Sequence, residues 1–179
     1  MTPRFLAICS AIALALMLPA CGGSSTPTTT TPTTTLPPCT QATLFQGPGS
    51  VPSSTLVSLT FSTSAAGRVD VILDWTFTSS TIGVYLVPAN SCSVDQFNAR
   101  SCNFLFRSES GAKPRKVSAS NVAAGSYDVL VANFSSQDES ASLQVILSSA
   151  GCPALTSGGV ASRTGQQQVS RGLSGFAPR

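Results

Sequence analysis

The sequence predicts an all-β protein: a single antiparallel β-sandwich of about seven or eight strands, set between a leader with a stalk and an unstructured tail. Three observations predict it. Between Cys39 and Cys152 apolar residues recur at every second position in one run after another. The runs are enriched in Val, Ile, Thr, Phe and Tyr, and Gly, Pro, Asn and Ser separate them about every ten residues. No stretch of this region sustains a 3.6-residue period.

Residues 1–20 read as a lipoprotein signal peptide. Arg4 gives a short positive start, and Phe5–Leu18 is apolar except for Cys9 and Ser10. As a helix that run spans about 21 Å, short of the roughly 30 Å hydrocarbon core of a bilayer. It ends in Leu18-Pro19-Ala20-Cys21-Gly22. A Leu three before and a small residue one before a Cys resemble a bacterial lipobox, although Pro19 departs from the small or β-branched residue usual there. The resemblance implies cleavage before Cys21, with diacylglycerol on its sulfur and an acyl chain on its new amine. Buried methylenes contribute about 0.8 kcal/mol each, so two or three acyl chains hold stably. Gly22 rather than Asp follows the cysteine, and by resemblance to diderm lipoproteins this implies the outer membrane.

Residues 21–38 are the acylated cysteine and a Thr/Pro-rich linker. Residues 24–38 contain eight Thr and four Pro and have no means of burying a core. Pro fixes φ and Thr is β-branched, so the segment is expected to be extended, about 45 Å long at polyproline rise.

The sandwich domain is expected over 39–152. Thr43-Leu44-Phe45-Gln46 precedes a Gly47-Pro48-Gly49 turn signal. Val57, Leu59 and Phe61 share one strand face; so do Val69, Val71, Leu73 and Trp75, with Asp70 and Asp74 on the opposite, solvent-facing side. Ile82–Val87, Phe104-Leu105-Phe106 and Arg115–Ser118 give further runs. Tyr127, Val129 and Val131, then Ala141, Leu143, Val145 and Leu147, complete the series. Phase places Trp75 in the core. Tyr85, out of phase with Val84 and Leu86, is the candidate exposed aromatic. Asp138 and Glu139 read as a solvated hairpin tip. The tail, 153–179, has no apolar period and carries Arg163, Arg171 and Arg179 without an acid, so it is expected to be disordered.

Six cysteines sort by position. Cys9 leaves with the signal and Cys21 takes lipid. Cys39, Cys92, Cys102 and Cys152 form an even set in an exported chain, which favours disulfides. Three connectivities are open, and the nested one, Cys39–Cys152 with Cys92–Cys102, is simplest. In the chain-entropy model the short loop contributes roughly 3 kcal/mol and the long one roughly 5. No Cys-x-x-Cys spacing points to a metal.

Gly67–Thr76, Gly83-Val84-Tyr85-Leu86 and Ala123–Asn133, in that order, resemble the bacterial pre-peptidase C-terminal domain family. The Gly125-x-Tyr127 element is the most recognisable part, and about residues 55 to 148 are covered. The resemblance implies a jelly-roll-like sandwich and a non-catalytic module. Some such domains bind calcium, but Ser79-Ser80-Thr81 stands where calcium-binding relatives often carry acids. Calcium takes six to eight oxygens, so no metal and no cofactor is expected.

The chain has no His. That removes Ser-His-Asp and Cys-His nucleophile systems, an imidazole base and His-ligated metals. Asp70 and Asp74 stand about 13 Å apart along a strand, too far for a glycosidase pair. No Gly-x-Ser-x-Gly elbow, Ser-x-x-Lys motif or phosphate loop appears, so the chain is not expected to be an enzyme. The region 39–152 holds six basic and seven acidic residues, which offers nucleic acid no basic stripe. The expected function is a lipid-anchored, non-catalytic envelope lipoprotein binding a protein or a glycan through its loops. The loop 93–101, with Phe97 and Arg100, is the first contact surface. The alternatives are a structural envelope component and an accessory module acting in trans for a secreted peptidase or hydrolase.

Overall fold

Period-two patterning closes into two stacked sheets. The computed structural model describes residues 38–110, 112–153 and 171–175. The expected signal peptide, Cys21, the stalk to residue 37, and tail residues 154–170 and 176–179 lie outside the described residues. In chain order the elements are β1 (Gln41–Val51), β2 (Thr55–Thr63), β3 (Gly67–Trp75), β4 (Ile82–Pro88), α1 (Val94–Asn98), β5 (Phe106–Ser110), β6 (Arg115–Val122), β7 (Gly125–Asn133), β8 (Glu139–Ser148) and β9 (Arg171–Gly175). The first sheet runs β1-β8-β3-β6 and the second β5-β4-β7-β2-β9. Strands β1 to β8 pair antiparallel, in the order of a jelly roll. Within the tail expected to be disordered, β9 instead lies parallel to β2; its residues show no alternation, so the sequence carries no signal for it.

The inner core follows the phase. Val57, Val71, Leu73, Val129, Leu143 and Val145 are buried between the sheets, with Trp75 among them. Tyr127 folds back at the start of β7 and donates from its hydroxyl to Ala123 O at 2.9 Å, a tyrosine-corner arrangement. Gly47-Pro48-Gly49, expected as a turn, lies inside β1 and pairs with Leu143–Ala141. Strand β1 is an edge, where the missing Pro48 N–H leaves no ladder bond unmade.

A second core changes two of the sequence readings. Leu56, Tyr85, Val87, Leu130 and Ala132 alternate with the inner-core residues of β2, β4 and β7, so they face outward from the second sheet; yet all are buried. The segment between β4 and β5, closed by the Cys92–Cys102 disulfide, lies over them as a flap. Tyr85 is therefore not an exposed aromatic: it is 1% exposed. Phe97, expected as a contact residue, is 7% exposed and packs edge-on against Tyr85 at 4.8 Å. Burial on both faces explains why β4 reads as an unbroken apolar run instead of alternating.

Gly83 makes room for Tyr85. A Cβ at Gly83 would lie 2.5 Å from the Tyr85 hydroxyl oxygen and 2.7 Å from its ring. Gly83→Ala is expected to push the ring off β4 and cost about 1–3 kcal/mol. The midpoint of urea unfolding measures this, and an unchanged midpoint contradicts the close fit.

Candidate functional site

The two ends of the sandwich differ. At one end, Cys39 is bonded to Cys152, and Thr40 and Ser149 exchange hydrogen bonds. Arg68 fixes this end from β3. It holds Asp70 through Nε and Nη2 at 2.8–3.0 Å and donates to Cys152 O and Pro153 O. Asp70, expected in solvent, is fully buried because Arg68, Ser118 and Ser148 all bond its carboxylate. The first and last residues described before the tail strand, 38 and 153, thus lie at one end.

The opposite end carries the loops 52–54, 76–81, 112–114 and 134–138. These are bonded to one another. Ser53 N donates to Asp138 Oδ1 and Thr81 N to Ser135 Oγ. Asn133, fully buried, donates to Val51 O and Gln137 O. Glu139, expected at a solvated tip, is 1% exposed. Its Oε2 accepts from Thr76 N and Phe77 N at 2.9 and 3.0 Å, which places a buried carboxylate against two otherwise unpaired loop amides. Its Oε1 has no hydrogen-bond partner among the described residues.

On this braced end lies an open groove of about 280 Å³, lined by Asp74, Trp75, Thr76 and Ser140–Ser142. Trp75 takes two cations near its ring: Arg115 at 5.1 Å and Lys113 at 5.8 Å from the centroid. Lys113 Nζ also lies 3.3 Å from Asp74 Oδ1 and donates to the carbonyls of Trp75 and Thr76. Phe77, next to the groove wall, is 45% exposed, one of two large apolar side chains so exposed among the described residues. The groove therefore presents a carboxylate and exposed serine hydroxyls, with the bonded Lys113 ammonium and an aromatic beside it. That is a set for recognising a hydrogen-bonding ligand. Among the described residues no group of three or more His, Cys, Asp or Glu is placed to hold a metal ion.

The groove is braced from the second sheet. Arg115, 3% exposed, donates to Ile82 O and Ser108 O, joining β6 to β4 and β5. Tyr85 donates to Glu109 Oε1 at 2.6 Å. Burial pushes the Tyr85 phenol well above its ordinary 10, and the Glu109 hydrogen bond and charge act the same way. Burial draws the Arg115 guanidinium down to about 10, opposed by Tyr85 and Glu109. The unfolded chain releases the Tyr85 proton first, so the stabilisation it carries is complete below pH 10 and lost above it. From about pH 10 upward Arg115 acts in the opposite sense and offsets this loss, because the unfolded phenol and the folded guanidinium both titrate near 10. Denaturation midpoints of the wild type are therefore expected to drop relative to those of Tyr85→Phe between about pH 9 and pH 11. Parallel slopes in the two proteins would remove Tyr85 as the cause.

Sequence reasoning named neither Glu139 nor Arg115 as a bracing residue, because burial of a charge depends on partners distant in sequence. In the flap, α1 was not expected from the sequence, which read 93–101 as a loop. Ser93 and Gln96 make a capping box, Gln96 N donating to Ser93 Oγ and Ser93 N to Gln96 Oε1. Arg100 is exposed on the flap, with φ of 58°. The expected contact pair is therefore split, Phe97 inward and Arg100 outward.

No family model matches the chain, and no curated protein matches it. Among solved structures it is similar to the Yersinia pseudotuberculosis-derived mitogen, with 13% identity over 66% of this chain and 100% of that one, at a TM-score of 0.42. It is also similar to Aeromonas hydrophila PliG, a periplasmic lysozyme inhibitor of g-type lysozyme, with 14% identity over 60% of this chain and 85% of that one, at a TM-score of 0.42. At these values neither likeness carries over a ligand or an activity. No described helix is long and apolar enough to cross a membrane.

Proposed function

We propose that this protein is a non-catalytic binding module of the bacterial cell envelope. It is anchored by lipid on Cys21, carried on the Thr/Pro stalk, and binds a protein or glycan through the loops opposite its tether. One observation carries this reading. Cys39 and Cys152 are bonded at one end of the sandwich and the braced loops and the groove lie at the other, which supports recognition at the end opposite the one where the linker joins. The lipobox-like Leu18–Cys21 supports the anchor, and Gly22 supports the outer membrane. The motifs resembling the pre-peptidase C-terminal family support a binding module over an enzyme. Loops on a rigid scaffold are where such modules make their contacts.

Two measurements test the two halves separately. Metabolic palmitate labelling is expected to mark the wild type and spare Cys21→Ala; equal labelling of both removes the anchor. For recognition, the purified chain is used to capture partners from intact envelope and is spread on a glycan array. Asp74→Asn with Phe77→Ser is expected to lower binding at least about ten-fold, while Arg100→Ala leaves it unchanged. The reverse pattern moves the contact surface to the flap.

A further inference from the structure

The edge of the second sheet points to an interaction that the proposed function does not require. Strand β2 reads TLVSLTFST, with neither a charge nor a proline. Edge strands are ordinarily blunted by such residues or covered by another segment. What covers β2 is the tail strand β9, in parallel, with Thr55 opposite Arg171, Val57 opposite Ser174 and Ser58 opposite Gly175. The register shifts between Thr55 and Val57. The cover reaches only Ser58, and Leu59–Thr63 have no strand on that side among the described residues.

The tether of β9 is long. Residues 154–170 separate it from the last described residues of the sandwich, and such a segment spans at most about 56–61 Å. A nine-residue strand such as β2 measures about 30 Å. The upper bound on this connection is thus about twice the strand length it must return along.

We propose that the β2 edge is a strand-docking site and that the segment Arg171–Gly175 of a second copy docks there, exchanging with the chain's own. The same main-chain bonds form within one chain or between two, so exchange sacrifices no contact. The tether gives the chain's own segment a millimolar-range effective concentration. Docking between copies therefore grows with their density, a condition that attachment to a surface would favour. The short, shifted pairing keeps the segment exchangeable.

Cysteine cross-linking of full chains tests this. Ser58→Cys and Gly175→Cys are prepared separately, one of them isotope-labelled, then mixed under mild oxidation and mapped. The expected result is a disulfide joining a labelled to an unlabelled peptide at these two positions. Its fraction should rise about ten-fold for a ten-fold rise in concentration while it remains small. Adding Leu173→Pro and Ser174→Pro to the tail removes N–H groups on both sides of the strand and should abolish the link. In a chain that carries both Ser58→Cys and Gly175→Cys, a link within one chain, with none between the separately prepared chains, overturns the exchange. So does a link that survives the prolines, which collision explains. Absence of both links overturns the docking site itself.

Discussion

Arg68→Met is expected to lower the stability of the sandwich by about 3–5 kcal/mol. Asp70 has no exposed side-chain surface, while Arg68 retains 12%. The guanidinium spans the Asp70 carboxylate and the carbonyls of Cys152 and Pro153. Methionine keeps most of the packing volume and removes every one of these bonds. Asp70 would keep only Ser118 and Ser148 as donors, too little to replace lost hydration of a buried charge. Removing both charges should cost less than removing one, because no uncompensated ion remains. Arg68→Met with Asp70→Asn is therefore expected to regain part of the loss. Denaturant unfolding with the disulfides intact measures the cycle. If Arg68→Met alone shifts stability by less than about 1 kcal/mol, the pair is not what fixes the Cys39–Cys152 end.

Asp70 also shows where the sequence ceases to be legible. Alternation assigned Val69, Val71, Leu73 and Trp75 to one face correctly, because the hydrophobic effect sorts side chains by strand phase. It says nothing of what covers the other face. For Asp70 the cover is Arg68, two positions along the same strand, with serines from β6 and β8. For Tyr85 it is the flap, whose own apolar residues follow no period across its bends. Glu139 was misread for a related reason: an acid beside Asp138 looks like a turn until the amides of Thr76 and Phe77 are known to meet it. Most strands of the jelly roll were thus readable from local pattern, although the turn expected at Gly47–Gly49 lies inside β1 and the run expected at Phe104–Phe106 only meets the start of β5. The groove was not, because it is assembled from β3, β8 and the β5–β6 loop, which the chain brings together only after folding.

Two phenylalanines distinguish a surface for binding from a surface for packing. Phe97→Ala is expected to cost about 3–5 kcal/mol, whereas Phe77→Ala, at an exposed position, should stay within about 0.5 kcal/mol. Phe97 lies 4.8 Å from Tyr85 and 6.2 Å from Phe104, both edge-on, and 6.5 Å from Phe134. Removing its ring leaves a cavity beneath a flap that the Cys92–Cys102 disulfide holds covalently but does not press onto the sheet. The flap should therefore loosen before the inner core melts. Amides of β4 and β7 should lose protection ahead of those in β3 and β8, and a hydrophobic dye should bind before global unfolding. Phe97→Leu retains apolar bulk and should cost markedly less. Phe77→Ala should leave exchange and melting nearly unchanged and act only on recognition at the loop end. If Phe97→Ala weakened partner binding without destabilising the flap, and Phe77→Ala did nothing, the flap would be the contact surface and the loop end only the far side of the scaffold. The physical ground for expecting the opposite is burial: a ring 7% exposed has little surface left to give a partner, and one 45% exposed has not yet spent its own.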